Sequence, residues 1–152
     1  MCTRVSKYEM VAERVCGYSS DIIDKRMNSA DTIARFIIES LKSDSMIVEH
    51  FMVFMLDTKC KVVGFSDVSK GTLDMSPVHP REVFAPAMVT PKTAAVIVAH
   101  NHPSGDPAAS VQDIETTERL CRAGEILGIR ILDHVIVGDG CWTSLKAEGY
   151  IE

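Results

Sequence analysis

Residues 93–113 run TAAVIVAHNHPSGDPAASVQD. Residues 93–99 form an apolar, β-prone run, the pattern of a strand covered on both faces. The run leads into 100–107, where Pro103, Gly105 and Pro107 require a loop. Ser110 then opens a helix with Ile114, Thr117, Cys121, Gly124 and Leu127 on one face, and Gly128 stops it. Residues 129–137 follow as a strand, 138–140 as a turn and 141–144 as a short return strand.

Upstream, Asn28 and Ser29 are helix caps, and Ile33, Phe36, Ile37 and Leu41 recur at helical spacing, which predicts a helix near 30–42. His50–Leu56 and 61–65 are β-prone runs joined by the polar turn 57–60, a hairpin pattern. Residues 68–75 are expected to add a third strand, with Gly71 as a bulge. Pro80 begins a helix over 81–89, which Pro86 should kink or loosen. Alternation through Val11, Glu13 and Val15 hints at a short strand. The order is a helix, a β-rich stretch, then helix, strand, helix, strand. It predicts an α/β fold, a mixed sheet flanked by helices.

The chain has 152 residues, the size of one domain. We divide it into an N-terminal extension over 1–28 and a domain over 29–152. Hydrophobic residues make up 46% and charged residues 24%, which excludes a disordered chain. The net charge of −5 lacks the basic footprint of a duplex-DNA binder, so direct DNA binding is not expected. Its longest uncharged apolar runs have six residues, far short of the ~20 of a membrane span. The N-terminus lacks the apolar core of a signal peptide. Five cysteines, at 2, 16, 60, 121 and 141, form no C-x-x-C pair and read as reduced thiols of a cytoplasmic protein.

The chemistry lies in His100-x-His102 and Ser110-x-x-Asp113. Histidines at i and i+2 on extended backbone point to one side and can share a metal ion. Asp113, in the first turn of the next helix, can close a third position if the loop folds back. Two imidazoles and a carboxylate suit Zn²⁺ and leave a fourth position for water, the mark of a catalytic site. The competing reading makes Ser110 and Asp113 a capping box and the histidines mere polar residues ending a strand. The string His-Asn-His is no nuclease signal, because HNH endonucleases take their name from residues scattered over a longer motif.

The spacing H-x-H-x7-S-x-x-D, here His100, His102, Ser110 and Asp113, resembles the JAMM signature of the JAB/MPN metalloprotease fold, with its cytidine-deaminase-like layout. The string HNHPSGDPAASVQDIETT, with LGIRILDHVIVG after it and VHPREVF before it, resembles the RadC branch. The likeness covers about 45–152 and is most specific over 78–138. Ala109 departs from the proline expected before the serine. The first 45 residues are too few for the helix-hairpin-helix region of full-length RadC proteins, so a stand-alone domain is expected.

The resemblance implies a zinc-dependent hydrolase, a metallopeptidase or isopeptidase acting on a peptide or protein, with one zinc per chain. A glutamate matching Glu49 would act as general base through the zinc's water, and Ser110 would hold the oxyanion. Glu82 is the alternative base, and a first-turn acid favoured by the helix dipole otherwise. The family name links such proteins to DNA repair. A partner-binding module without activity and a DNA-repair accessory protein are the competing functions. Among other candidates, Asp106 is an alternative ligand, and His134 is a structural histidine or a partner of the ligands. His50 and His79 have no partner readable from spacing, and Trp142 is expected in the core.

Overall fold

The computed structural model describes residues 29–42, 46–71 and 78–152. A five-stranded mixed sheet in the order β2-β1-β3-β4-β5 lies between two helical layers. Its strands are β1 (His50–Leu56), β2 (Val62–Lys70), β3 (Ala95–Asn101), β4 (Arg130–Val137) and β5 (Trp142–Ser144). β3 is antiparallel to β1 and parallel to β4, so it lies at the centre, and all seven of its residues are buried.

Side-chain alternation sorts the core. Phe51, Val53, Met55, Val96 and Val98 face one layer, where α2 (Pro80–Val89) supplies Val83 and Phe84 and α3 (Val111–Leu127) supplies Leu120. Met52, Phe54, Leu56, Ile97 and Ala99 face the other. There α1 (Ala30–Arg35) and the π-helical turn that continues it, Phe36–Ser40, supply Ile33, Phe36 and Ile37. Ser29 caps α1 by accepting from the Thr32 N–H. The expected helix over 30–42 is therefore present, with its second half wound wider: the Leu41 N–H reaches the Phe36 carbonyl at 3.2 Å.

The β1–β2 hairpin forms as the apolar runs predict, and Asp57 caps its turn by accepting from the N–H groups of Lys59 and Lys61. Of the third strand expected over 68–75, residues 68–70 belong to β2, and residues 72–75 lie outside the described residues. Val68–Lys70 extend β2 opposite the start of β1, and Gly71 follows the strand, donating to the Glu49 carbonyl at 2.7 Å. The irregularities in this pairing lie instead between Phe51 and Met52 and between Met55 and Leu56. α2 runs through Pro86 and ends within a turn of it, the Thr90 N–H bonding the Pro86 carbonyl at 3.0 Å.

Two burial expectations are corrected. Leu127 is 44% exposed, and on α3 the core leucine is Leu120. Trp142 is 36% exposed because it stands on the three-residue edge strand β5. Asn28 and the 11–15 strand lie outside the described residues.

A bulge in β4 matters for the site. Val96 pairs with Ile131, but Ile97 pairs with Asp133, so β4 carries one extra residue. The phase of the strand flips there, and His134 joins the face that carries His100.

Candidate metal centre

His100 and Asn101 end β3, and His102 begins the loop. That loop is pinned at its start and its middle to the end of β4 and the turn after it. The His102 N–H bonds the Val137 carbonyl at 2.8 Å, and the Asp139 N–H bonds the Gly105 carbonyl at 2.9 Å. Gly105 has a φ of +82°, which favours glycine, and a Cβ at Gly138 would lie 2.2 Å from the Gly105 oxygen. The loop folds back, as the ligand reading required, and delivers Ser110 as the N-cap of α3.

His100, His102 and Asp113 converge. Nε2 of His100 lies 2.9 Å from Nε2 of His102 and 3.2 Å from Oδ1 of Asp113, and Nε2 of His102 lies 3.5 Å from Oδ2. Ligand atoms around a four-coordinate cation at ~2.0–2.2 Å stand roughly 3.3–3.6 Å apart, so the cluster is already near that spacing. Both Nδ1 atoms are engaged elsewhere, His102 with the Asp106 carbonyl at 2.8 Å and His100 with His134 at 2.8 Å. Two nitrogens and a carboxylate meeting at one point form a donor set that could hold a metal ion.

The three groups are electrostatically coupled. Burial would raise the Asp113 carboxyl, but hydrogen bonds from His100, His102 and Ser110 hold it well below the usual carboxylate range. The same Asp113 contact raises His102 above the ordinary imidazole value against its partial burial, and the Glu49 charge adds to that. Burial pushes His134 well below its usual value, so this ring is neutral.

The capping box is also present, and it does not compete with the cluster: Ser110 Oγ accepts from the Asp113 N–H while Asp113 Oδ2 accepts from the Ser110 N–H. Glu49 lines one cleft with His102, Ser110 and Asp113. Its placement follows from register, because Phe51 pairs with His100 and continuing that pairing puts residue 49 across from 102. Glu82 lies in the first turn of α2, 3.9 Å from Arg81 and outside this cleft. The Asp106 carboxylate accepts from the Ala108 N–H, so it shapes the loop and stands outside the cluster. His50 pairs with Asp67 at 2.7 Å, and His79 is the N-cap of α2. His134 is both structural and a partner, buried and bonded to His100 and Thr117.

Sequence reasoning missed Asn101. This buried side chain accepts from the His50 N–H at 2.8 Å and donates to the Val48 carbonyl at 3.1 Å, gripping the backbone on either side of Glu49. Its partners lie some fifty positions earlier, so the string His-Asn-His alone does not disclose them.

Among the described residues Cys60, Cys121 and Cys141 are free thiols. No helix among them is long and apolar enough to cross a membrane.

The comparisons agree with the geometry. The family model for the RadC-like JAB domain matches residues 27–150. A UPF0758 protein of Desulforudis audaxviator is 57% identical over 101 residues, 66% of this chain and 44% of its own length. One from Caldanaerobacter subterraneus is 45% identical over 126 residues, 83% of this chain and 53% of its own. Another, from Desulfitobacterium hafniense, is 44% identical over 133 residues, 88% and 57% of the two chains. The chain thus spans about half the length of the curated relatives it matches. It belongs to the RadC-like JAB domain family.

Proposed function

We propose that this domain is a zinc-dependent hydrolase of peptide or isopeptide bonds, with His100, His102 and Asp113 as the metal ligands. The observation that carries the reading is the meeting of His102 and Asp113 of that cluster with Glu49 and Ser110 in one cleft. When bound, zinc supplies Lewis-acid polarisation and brings the pKa of water down to about 7.

The chain's own residues do the rest. Glu49 is exposed and unburdened by a buried partner, so its carboxylate takes a proton from the attacking water and returns it to the leaving amine. The Ser110 hydroxyl now donates to Asp113 Oδ2 at 2.6 Å. Rotating about the Cβ–Oγ bond, it turns that proton toward the substrate oxygen as charge develops there. Ile47, Val48, Val78 and Pro103 line the same cleft and suit the apolar side chains of an extended peptide. The net charge of −5 favours a protein partner over duplex DNA.

The test is hydrolysis of broad peptide and isopeptide panels by the wild type, by Glu49→Gln and by chelated protein. Cleavage by the wild type should stop on chelation and slow by about 10²–10⁴-fold in Glu49→Gln, whose metal content stays normal. A metal-loaded wild type as inert as the variant across the panels would overturn the hydrolase reading in favour of a partner-binding module.

A further inference from the structure

We infer that Arg119 is a specificity-determining residue of the cleft: it takes the side-chain carboxylate of an Asp or Glu lying about three residues from the scissile bond of the substrate peptide. The inference deepens the peptidase reading and rests on it for the scissile bond. The carboxylate subsite rests on Arg119 and the surface around it.

The cleft continues beyond the cluster. Gln112 and Thr116 line it together with Asp113 and Val78. The same two residues line a second hollow of about 400 Å³, whose other walls are Val111, Glu115 and Arg119. The two hollows therefore meet along α3 as one trough. Gln112, Thr116 and Arg119 stand at i, i+4 and i+7, on one stripe of that helix. Arg119 lies six residues after Asp113, about 9 Å along the helix axis at 1.5 Å per residue. An extended peptide advances about 3.3 Å per residue, so a chain laid along the trough brings the third residue from the cluster to Arg119.

Arg119 is prepared for an anion. Its guanidinium donates to the Val78 carbonyl at 3.0 Å, which fixes one end of the fork against the wall of the cleft. Other arginines of the helical layers hold carboxylates: Arg35 pairs with Glu39, Arg81 with Glu82 and Arg122 with Glu118. Arg119 has no such pair among the described residues, although Glu115 stands one turn earlier in the same hollow. A cation anchored on a neutral carbonyl keeps its charge uncompensated, and its remaining N–H groups match a carboxylate in two parallel hydrogen bonds. Glu49 and Asp113 make the cluster end of the trough acidic, and the chain carries a net charge of −5. Acidic side chains are thus repelled elsewhere and accepted at Arg119, which makes the preference specific to one position. A chain-terminal carboxylate is captured by free backbone N–H groups. Those around Arg119 belong to the middle of α3 and are spent within the helix, so the hollow fits a side chain.

The experiment is selection of random dodecapeptides on zinc-loaded Glu49→Gln protein, which is expected to bind substrates without cleaving them. The enriched peptides are then titrated against Glu49→Gln alone and combined with Arg119→Gln. Asp or Glu should be enriched at one position, and Arg119→Gln should weaken binding of those peptides about 10-fold, the scale of a charge-assisted hydrogen bond. Selection repeated on Glu49→Gln with Arg119→Glu should place Lys or Arg at that position, an outcome that mere loosening of the Val78 wall does not produce. Capture of no peptide, enrichment without an acidic position, equal affinity for Arg119→Gln, or a preference confined to free C-termini would overturn the inference. Failure of the peptidase reading is distinct: the wild type would cleave none of the enriched peptides, while their selection still followed the charge at residue 119.

Discussion

Ser110 and Asp113 close a capping box, and the carboxylate that closes it also joins His100 and His102 in the candidate cluster. Oδ2 of Asp113 accepts from the Ser110 N–H at 2.7 Å and from its hydroxyl at 2.6 Å, while Oδ1 lies 3.2 Å from Nε2 of His100. A helix N-terminus that must satisfy its own N–H groups thereby fixes the orientation of a ligand carboxylate. Ser110→Ala should therefore lower the stability of chelated protein by about 1 kcal/mol. It should also weaken zinc binding, because the carboxylate loses a restraint. Thermal unfolding with chelator and a zinc titration check the two effects, and unchanged zinc affinity would separate the cap from the site.

Asn101→Ala should act on Glu49 without touching the metal. It removes two hydrogen bonds and strands a partly buried N–H at His50 and a carbonyl at Val48. The cost should be about 1–3 kcal/mol in urea unfolding. Metal content should stay at the wild-type level, and loss of metal would show that Asn101 holds the ligands instead.

Gly138→Ala tests the pinned loop. The new Cβ would lie 2.2 Å from the Gly105 oxygen and 2.9 Å from Pro107 Cδ, so the loop must move. Overpacking of this kind costs about 1–3 kcal/mol. Because His102 and Asp106 ride on the same loop, zinc affinity should fall with stability. A destabilised variant with intact affinity would show that the loop positions His102 less than its hydrogen bonds suggest.

Asp57 should leave an acid signature far from the site. Backbone N–H groups of Lys61 and Lys59 hold its carboxylate below the ordinary value of 3.8. A group with a depressed folded pKa contributes stability above the unfolded value and loses it as pH falls through the folded one. Asp57→Ala should thus be less stable than the wild type near neutrality, and the gap should close as pH drops below about 4. A gap that is constant across that range would mean the carboxylate charge plays no part in the hairpin.

Much of the site was legible because local rules wrote it. A buried strand running into His100-x-His102, a proline- and glycine-bearing loop and a Ser110 cap each depend on near neighbours, and each was read correctly. What escaped depends on register. Ile131 and Leu132 are both apolar, so nothing in their pattern marks the bulge that turns His134 toward His100. Asn101 acts across the sheet on residues some fifty positions earlier, which spacing along one segment cannot reveal. Residues 68–70 read as the start of a new strand because Ser66 and Asp67 interrupt the apolar pattern, yet pairing with β1 carries β2 through Ser66 and Asp67 to Lys70. Trp142 was assigned by size to a core that its edge strand does not reach.

The central claim is that His100, His102 and Asp113 together hold one metal ion, and an equilibrium zinc titration of metal-stripped protein at neutral pH tests it most directly. The account predicts one tight site per chain, abolished in His102→Ala and in Asp113→Ala. Free zinc at a hundred times its Kd should stabilise the wild type by about 2.7 kcal/mol, a rise of roughly 5–10 °C in Tm. No uptake by folded wild type at saturating zinc, or equal uptake by both variants, would contradict it.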